Sequence, residues 1–308
     1  MLGYIVRRVL WIFPVLFVVS VITFTIMHAA PGGPWDKVKA LPDRTVELLN
    51  EKYHLNDPMP IQYLKWVGAF VTGDLGISFA AQDRTVNQIV GDGVGTTVHL
   101  GVMAFLVSIL VGVPLGVIGA LRHNKIPDYV ATFVSVLGIS TPSFVAAILL
   151  LVFFGVTLKW FPTHGWDGWA NPAAMVLPTL SLALYPIAQI SRFTRASMLE
   201  VTRKDYIRTA QSKGLRERSV VRVHMIRNAL IPVVTILGPV LAFLLTGSFI
   251  IETIFSVPGI GRYFVISIQA YDYGVIMALA MLYAVVIAVM NLVVDVLYAY
   301  IDPRIRYG

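Results

Sequence analysis

The sequence contains no cysteine. No disulfide can brace an extracellular part, no thiolate can hold zinc or an iron–sulfur cluster, and no thiol can act as a nucleophile. Charge is scarce as well. Asp, Glu, Lys and Arg make up 13% of the 308 residues, where soluble domains carry about 25%. So few charged groups cannot cover a water-facing surface. With 57% hydrophobic residues and a mean hydropathy of +0.75, the chain is neither an ordinary soluble globule nor a disordered segment.

Signatures of self-contained chemistry are missing too. None of the eight lysines is followed by Ser or Thr, so the phosphate-cradling Gly-Lys-Ser/Thr loop is absent and any ATP must be handled by another subunit. The six histidines, His28, His54, His99, His123, His164 and His224, form neither an H-E-x-x-H motif nor an i,i+4 pair, which argues against a zinc hydrolase. No Gly-x-Ser-x-Gly elbow occurs, and intramembrane proteolysis would need paired acids or a Ser/His set at matching depths. Only one acid, Asp295, lies well inside an apolar stretch. Internal repeats and low-complexity segments are absent as well.

Long apolar runs are abundant. About 20 mostly apolar residues cross roughly 30 Å of hydrocarbon, and six stretches qualify: about Val9–His28, Thr97–Leu121, Val130–Phe154, Pro172–Ile190 (the shortest), Leu230–Ile251 and Val275–Ile301. Arg7 and Arg8 ahead of the first run also fit a signal peptide, but the run is too long for a signal core and no A-x-A-like site follows. The expected fold is an all-α membrane protein with six transmembrane helices. Lys and Arg set the orientation. With the N-terminus in the cytoplasm, sixteen basic residues fall inside and eight outside, six of the eight in one long loop. Both termini are then cytoplasmic.

This divides the chain into an N-terminal segment and first span (1–30), an extracytoplasmic segment (31–96) and a five-helix core (97–308) with a cytoplasmic loop at 191–229. Pro31-Gly32-Gly33-Pro34 breaks the chain after span one, and Thr45–Lys52 suits a short helix. The cytoplasmic loop holds ten basic residues between Arg192 and Arg227, and at this length it must either have a job or be disordered. Within it, Thr202 or Asp205 can cap a helix, Lys213 opposes the negative end of its dipole, and Gly214 fits the position after a helix where φ > 0 is needed. About eight residues, roughly 12 Å, result. Tyr206, Ile207 and Ala210 share a face at helical spacing, small enough at Ala210 for close approach by a partner. A helix this short needs tertiary contact to persist. The basic surroundings suit either anionic lipid or a docked protein.

Polar residues inside spans are costly and should face protein or water. Asp295 shares a stripe with Asn291 and Tyr298, and reads as a hydrogen-bonded anchor or a pathway group. Ser181, Tyr185 and Gln189 recur at i, i+4, i+8 between Pro178 and Pro186 or just beyond, a pattern that suits a cavity lining. Glu252, near the outer end of span five, can reach the interface as a local cap, as a partner for Arg262 or as a substrate ligand. Gly112, Gly116, Gly138 and Gly247 suit close helix packing.

Ala210 to Gly214, followed by Arg227-Asn-Ala-Leu-Ile-Pro232, resembles the cytoplasmic signature of ABC importer permeases, written E-A-A, three residues, G, then a later apolar-Pro. Here Arg208-Thr209-Ala210 stands in the E-A-A place, and 18 residues separate Gly214 from Pro232. Both departures resemble the dipeptide/oligopeptide branch of B-type permease subunits. So do Tyr4-x-x-Arg7-Arg8, Pro31-Gly32-x-Pro34, Leu55-Asn-Asp-Pro58 with Gln62-Tyr63, Gly73-Asp-Leu-Gly76-x-Ser78, Asp205-Tyr-Ile-Arg-Thr-Ala210, Glu252-x-Ile-Phe255 with Pro258-Gly259-x-Gly261, and Asp302-Pro-Arg304.

The resemblance implies a type I importer permease in a bacterial or archaeal cytoplasmic membrane. It implies pairing with a second, homologous permease, two ATP-binding subunits that hold ATP and Mg, and an extracytoplasmic substrate-binding protein, with no nucleic acid involved. Asp205, Tyr206, Ile207, Arg208, Thr209, Ala210, Lys213, Gly214 and Leu215 would form the ATPase-coupling helix and its end. Ser181, Tyr185, Gln189, Asn291 and Asp295 are candidate pathway residues. Cargo within the branch includes di- and oligopeptides, glutathione and nickel chelates. An ion-coupled secondary transporter is the alternative of another class, and it would rest on Asp295.

Overall fold

A computed structural model describes residues 2–29, 43–81 and 83–301. Among them the secondary structure is helical apart from a lone bridge between Ile77 and Thr85. The elements are α1 (Leu2–Ala29), α2 (Asp43–Lys52), α3 (Met59–Val71), α4 (Val86–Leu121), α5 (Ile126–Ser140), α6 (Ser143–Thr157), α7 (Pro172–Thr202), α8 (Asp205–Ser212), α9 (Glu217–Leu245), α10 (Phe249–Ile254), α11 (Ile260–Ala270) and α12 (Tyr273–Ile301). Five of these helices are long and apolar enough to cross a membrane, and α5 with α6 makes a sixth if the bent pair counts as one span.

The span expected over Val130–Phe154 is therefore not straight. α5 and α6 meet at 110°. Pro142 has no N–H to donate and crowds the residue before it out of the helical region, and Thr141 is extended at φ −89°, ψ 120°. The second half of α6, Leu151–Thr157, opens into wider π-helical turns.

The stretch 191–229 is not one loop. α7 continues to Thr202, α8 follows two residues later, and α9 begins at Glu217. Polar side chains after Ile190 end the apolar run but not the helix, because Ser191 (2%), Thr194 (0%) and Met198 (0%) are buried in protein rather than facing lipid. α9 likewise ends before Ile251. Gly247 takes φ +76° and stops it, and Ser248 caps α10 by accepting the N–H of Ile251 at 3.2 Å. Gly247 thus acts as a helix stop. Between α1 and α4 the expected short helix is present as α2, while α3 had no clear signal. The Pro31–Pro34 break lies outside the described residues.

The chain forms two compact units. One comprises residues 98–257 and is built around α7. Glycines bring its neighbours against the backbone of α7. A Cβ at Gly112 would sit 3.0 Å from the Ile187 carbonyl oxygen, one at Gly116 would sit 2.5 Å from that of Ser191, and one at Gly138 would sit 2.7 Å from Ala188 Cβ. α4 and α5 can pack this closely only without side chains there. Leu100, Leu177, Leu182, Leu244, Ile251 and Phe255 fill the core.

The other unit comprises residues up to 97 and from 258 onward. α1 lies along α12 and touches α3, with Phe24, Tyr273 and Met277 at the contact and Ser20 bonded to Tyr63 at 2.7 Å. Buried Asp272, just ahead of α12, accepts Ser78 Oγ, the backbone N–H groups of Phe79 (3.0 Å) and Ala80 (3.2 Å), and that of Val275 (3.3 Å). It pins the turn before α4 to the start of α12.

Gly116→Leu should lower the thermal unfolding temperature in detergent, with a stability loss of about 1–3 kcal/mol or more from overpacking. An unchanged melting curve would show that α4 and α7 do not need this approach.

Candidate functional site

The connection from α7 to α9 is built locally from short-range rules. Lys204 stands extended at the N-cap position (ψ 145°) and offers no side-chain cap. Neither Thr202 nor Asp205 supplies one: Thr202 Oγ donates back to the Met198 carbonyl at 2.8 Å, and Asp205 is the first helical residue. Lys204 Nζ instead binds Glu200 at 2.8 Å, and that hydrogen bond holds the ammonium above its usual range. At the far end Lys213 is the C-cap and Gly214 takes φ +72°. Gly214 N–H reaches the Gln211 carbonyl at 2.9 Å and Leu215 N–H that of Ala210 at 3.4 Å, so the chain turns away cleanly.

α8 is fixed to its own chain by the residues expected to meet a partner. Ile207 is 1% and Ala210 6% exposed. They sit in a cluster with Met198 and Val201 of α7 and Val220, Met225 and Ala229 of α9, while Ser197 Oγ donates to the Ala229 carbonyl at 2.8 Å. Ala210 is small because α8 must lie close to this cluster. Tyr206, one residue round the helix, does not share that face. It is 43% exposed, as is Leu215, and Asp205, Arg208, Thr209, Lys213 and Gly214 are also exposed. Thr209 Oγ1 donates to the Asp205 carbonyl at 3.0 Å, and Arg208 approaches the Asp205 carboxylate only to 4.0 Å. The outward face is therefore a short ridge of Tyr206, Arg208, Thr209, Lys213 and Leu215, anchored from behind.

Of the five candidate pathway residues, Ser181, Tyr185 and Gln189 lie along α7, and Asn291 and Asp295 belong to α12. Ser181 is 1% exposed and spends its hydroxyl on the Leu177 carbonyl at 2.7 Å, so it belongs to the α7 core and not to a cavity. Tyr185 is exposed and Gln189 half-buried on the same helix. The i, i+4, i+8 stripe drifts around the helix, and only its later members leave the core. Asn291 is exposed on α12 and lines a groove of about 430 Å³ with Arg8, Trp11, Tyr283 and Ile287. The side chains of Asp295 and Tyr298 lie outside the described residues. Glu252 does not reach the surface of this chain: it is fully buried in α10, as are Ile251 and Phe255 nearby in sequence.

One cluster was not anticipated. Asp128, in the first turn of α5, is 2% exposed. It accepts Arg195 Nε at 2.5 Å and Nη2 at 2.9 Å, and the Asn124 N–H at 2.9 Å; His123 Nδ1 lies 3.0 Å away. Arg195, counted above among loop cations, is a residue of α7 paired across to α5. Ile126-Pro127-Asp128 carries a helix-start signal, proline followed by an acid in the first turn, but nothing in the sequence marks Arg195 as its partner. Among the described residues no group of three or more His, Asp or Glu is placed to hold a metal ion.

The family described as "Binding-protein-dependent transport system inner membrane component" matches residues 112–307, and its N-terminal counterpart matches residues 1–101. The chain is 42% identical to the dipeptide transport system permease protein DppB of Bacillus subtilis over 306 residues, covering 99% of this chain and 98% of that one. It is 42% identical to the oligopeptide transport system permease protein OppB of Salmonella typhimurium over 307 residues, all of both chains. Among solved structures it is similar in fold to an amino acid ABC transporter (TM-score 0.54, 19% identity, 69% of this chain and 93% of that one). It is also similar to the MetNI methionine ABC transporter in an inward-facing form (TM-score 0.57, 17% identity, 70% and 97%). The chain therefore belongs to the family of binding-protein-dependent transport system inner membrane components, the permeases of ABC importers.

Proposed function

We propose that this chain is one of two permease subunits of an ATP-driven importer for di- and oligopeptides in a cytoplasmic membrane, with both termini and α8 on the cytoplasmic side. The observation that carries this reading is α8: a helix of eight residues held to α7 and α9 by Ile207 and Ala210, with a ridge of Tyr206, Arg208, Lys213 and Leu215 left outward. The names of the relatives support the cargo class. A second, homologous permease completes the pathway, two ATPase subunits hold the nucleotide and its magnesium, and an extracytoplasmic binding protein delivers the peptide to the outer segment.

The mechanism follows from the anchoring. An isolated helix of two turns is marginal in water, yet α8 is backed by buried side chains and cannot yield independently of α7. ATP binding draws the ATPases together and displaces the outward ridge. The displacement moves α7 and its packed neighbours as one body, opening the path outward, and hydrolysis resets it. Such coupling between distant sites needs an element with two positions that both sites bias.

Co-purification from native membranes should yield an ATPase whose hydrolysis rises when dipeptide-loaded binding protein is added; a chain that purifies without any ATPase would overturn the reading. Gly214→Val should cut that stimulation while leaving membrane insertion intact. Its Cβ meets nothing within 4 Å, so the injury comes from φ +72° alone, which a β-branched residue resists. Normal stimulation and normal uptake in this variant would show that the helix end is not strained by it. Ile207→Ala should loosen α8 by about 2–5 kcal/mol of lost packing, read as faster hydrogen exchange over residues 205–212.

A further inference from the structure

We propose that Asp128 and Arg195 form the clamp that passes a displacement of α8 into the bent span α5–α6. The inference rests on the coupling reading above and adds positioning residues to it.

Ile207 and Ala210 of α8 share one buried cluster with Met198 and Val201 of α7 and with Val220, Met225 and Ala229 of α9. Arg195 lies three residues before Met198, about 4.5 Å along the helix axis. A push on α8 therefore reaches α7 through this cluster, which includes the first turns of α9, within a turn of Arg195. There the guanidinium grips Asp128 through two nitrogens, at 2.5 and 2.9 Å. A forked contact fixes orientation as well as distance. The Asn124 N–H completes the carboxylate shell. Gly119 closes over it: a Cβ built there would lie 3.4 Å from Asp128 Oδ1 and 3.6 Å from Arg195 Cδ. The last turns of α4, the first turn of α5 and the lower part of α7 thus meet at one ion pair.

At its other end α5 reaches the Thr141–Pro142 bend, with Gly138 seated against Ala188 and the Leu184 carbonyl. A rigid helix held by a fork at one end and a 110° break at the other is a lever. Motion of α7 carries the first turn of α5 with it, and the bend absorbs the change before α6. An apolar contact would hold α5 to α7 equally well, since a buried ion pair is weak evidence of stability by itself. What the pair adds is a register that cannot slip.

The test uses the complete importer in proteoliposomes. The chain has no cysteine, so single fluorophores at Ser212→Cys on α8 and Phe133→Cys on α5, both exposed positions, report each helix. ATP should change both signals in the otherwise unaltered importer. With Asp128→Asn added, the Ser212 signal should persist, whereas the Phe133 signal and the peptide taken up per ATP should fall about fivefold or more, the lower range of ordinary coupling between sites. Arg195→Lys, which keeps the charge but loses the fork, should fall between the two. Arg192→Gln, an exposed cation three residues away, should change nothing. Native uptake per ATP and a native Phe133 signal in Asp128→Asn and Arg195→Lys would overturn the clamp, as would failure of both variants to assemble, which would make the pair purely structural. If ATP leaves the Ser212 signal unchanged in the unaltered importer, the coupling reading itself falls, and the clamp with it.

Discussion

Backbone-to-backbone approach around α7 is the constraint on which the larger unit depends. Lipid tails are as apolar as leucine, so no hydrophobic force drives spans together inside a bilayer. Contact must come from shape. Gly112 and Gly116 let α4 lie against the carbonyls of Ile187 and Ser191, and Gly138 does the same for α5 at Leu184 and Ala188. These contacts settle where α7 stands, and its lower end in turn settles where α8 is held.

The burial pattern follows the same logic. α7 is the least apolar of the five long apolar helices, with a mean hydropathy of 1.6 over its most apolar stretch against 2.2–2.5 for the others, yet 67% of that stretch is buried, against 11% in α1. A span surrounded by protein can carry Ser181, Ser191 and Thr194, each of which is at most 2% exposed. A span left exposed can be apolar on its outward faces, as α1 is at Leu10, Trp11, Phe13 and Phe17. Low hydropathy therefore marks the centre of the unit, and the shortest apolar run belongs to a 31-residue helix.

Motion in the assembly has to respect these contacts. The glycine seams and the Asp128–Arg195 fork make α4, α5 and α7 resist sliding past one another, while Thr141–Pro142 and Gly247 are places where the backbone already changes direction. The division between stiff seams and bent joints gives a rigid-body rearrangement somewhere to happen without unpacking the core.

Most of the membrane architecture was legible in the residues, because apolar length and the cost of a charge in hydrocarbon are properties of local sequence. The six apolar stretches, the short helix at Asp205–Ser212 and the left-handed Gly214 all follow from such local rules. Tertiary structure decided the rest. It turned Ile207 and Ala210 inward and left Tyr206 outside, because burial depends on what lies across from a face and not on the face alone. It extended α7 through polar residues, because those residues meet protein instead of lipid. It also joined Asp128 to Arg195 across 67 positions of chain, because an ion pair between spans is fixed by how the helices pack, which no local pattern encodes.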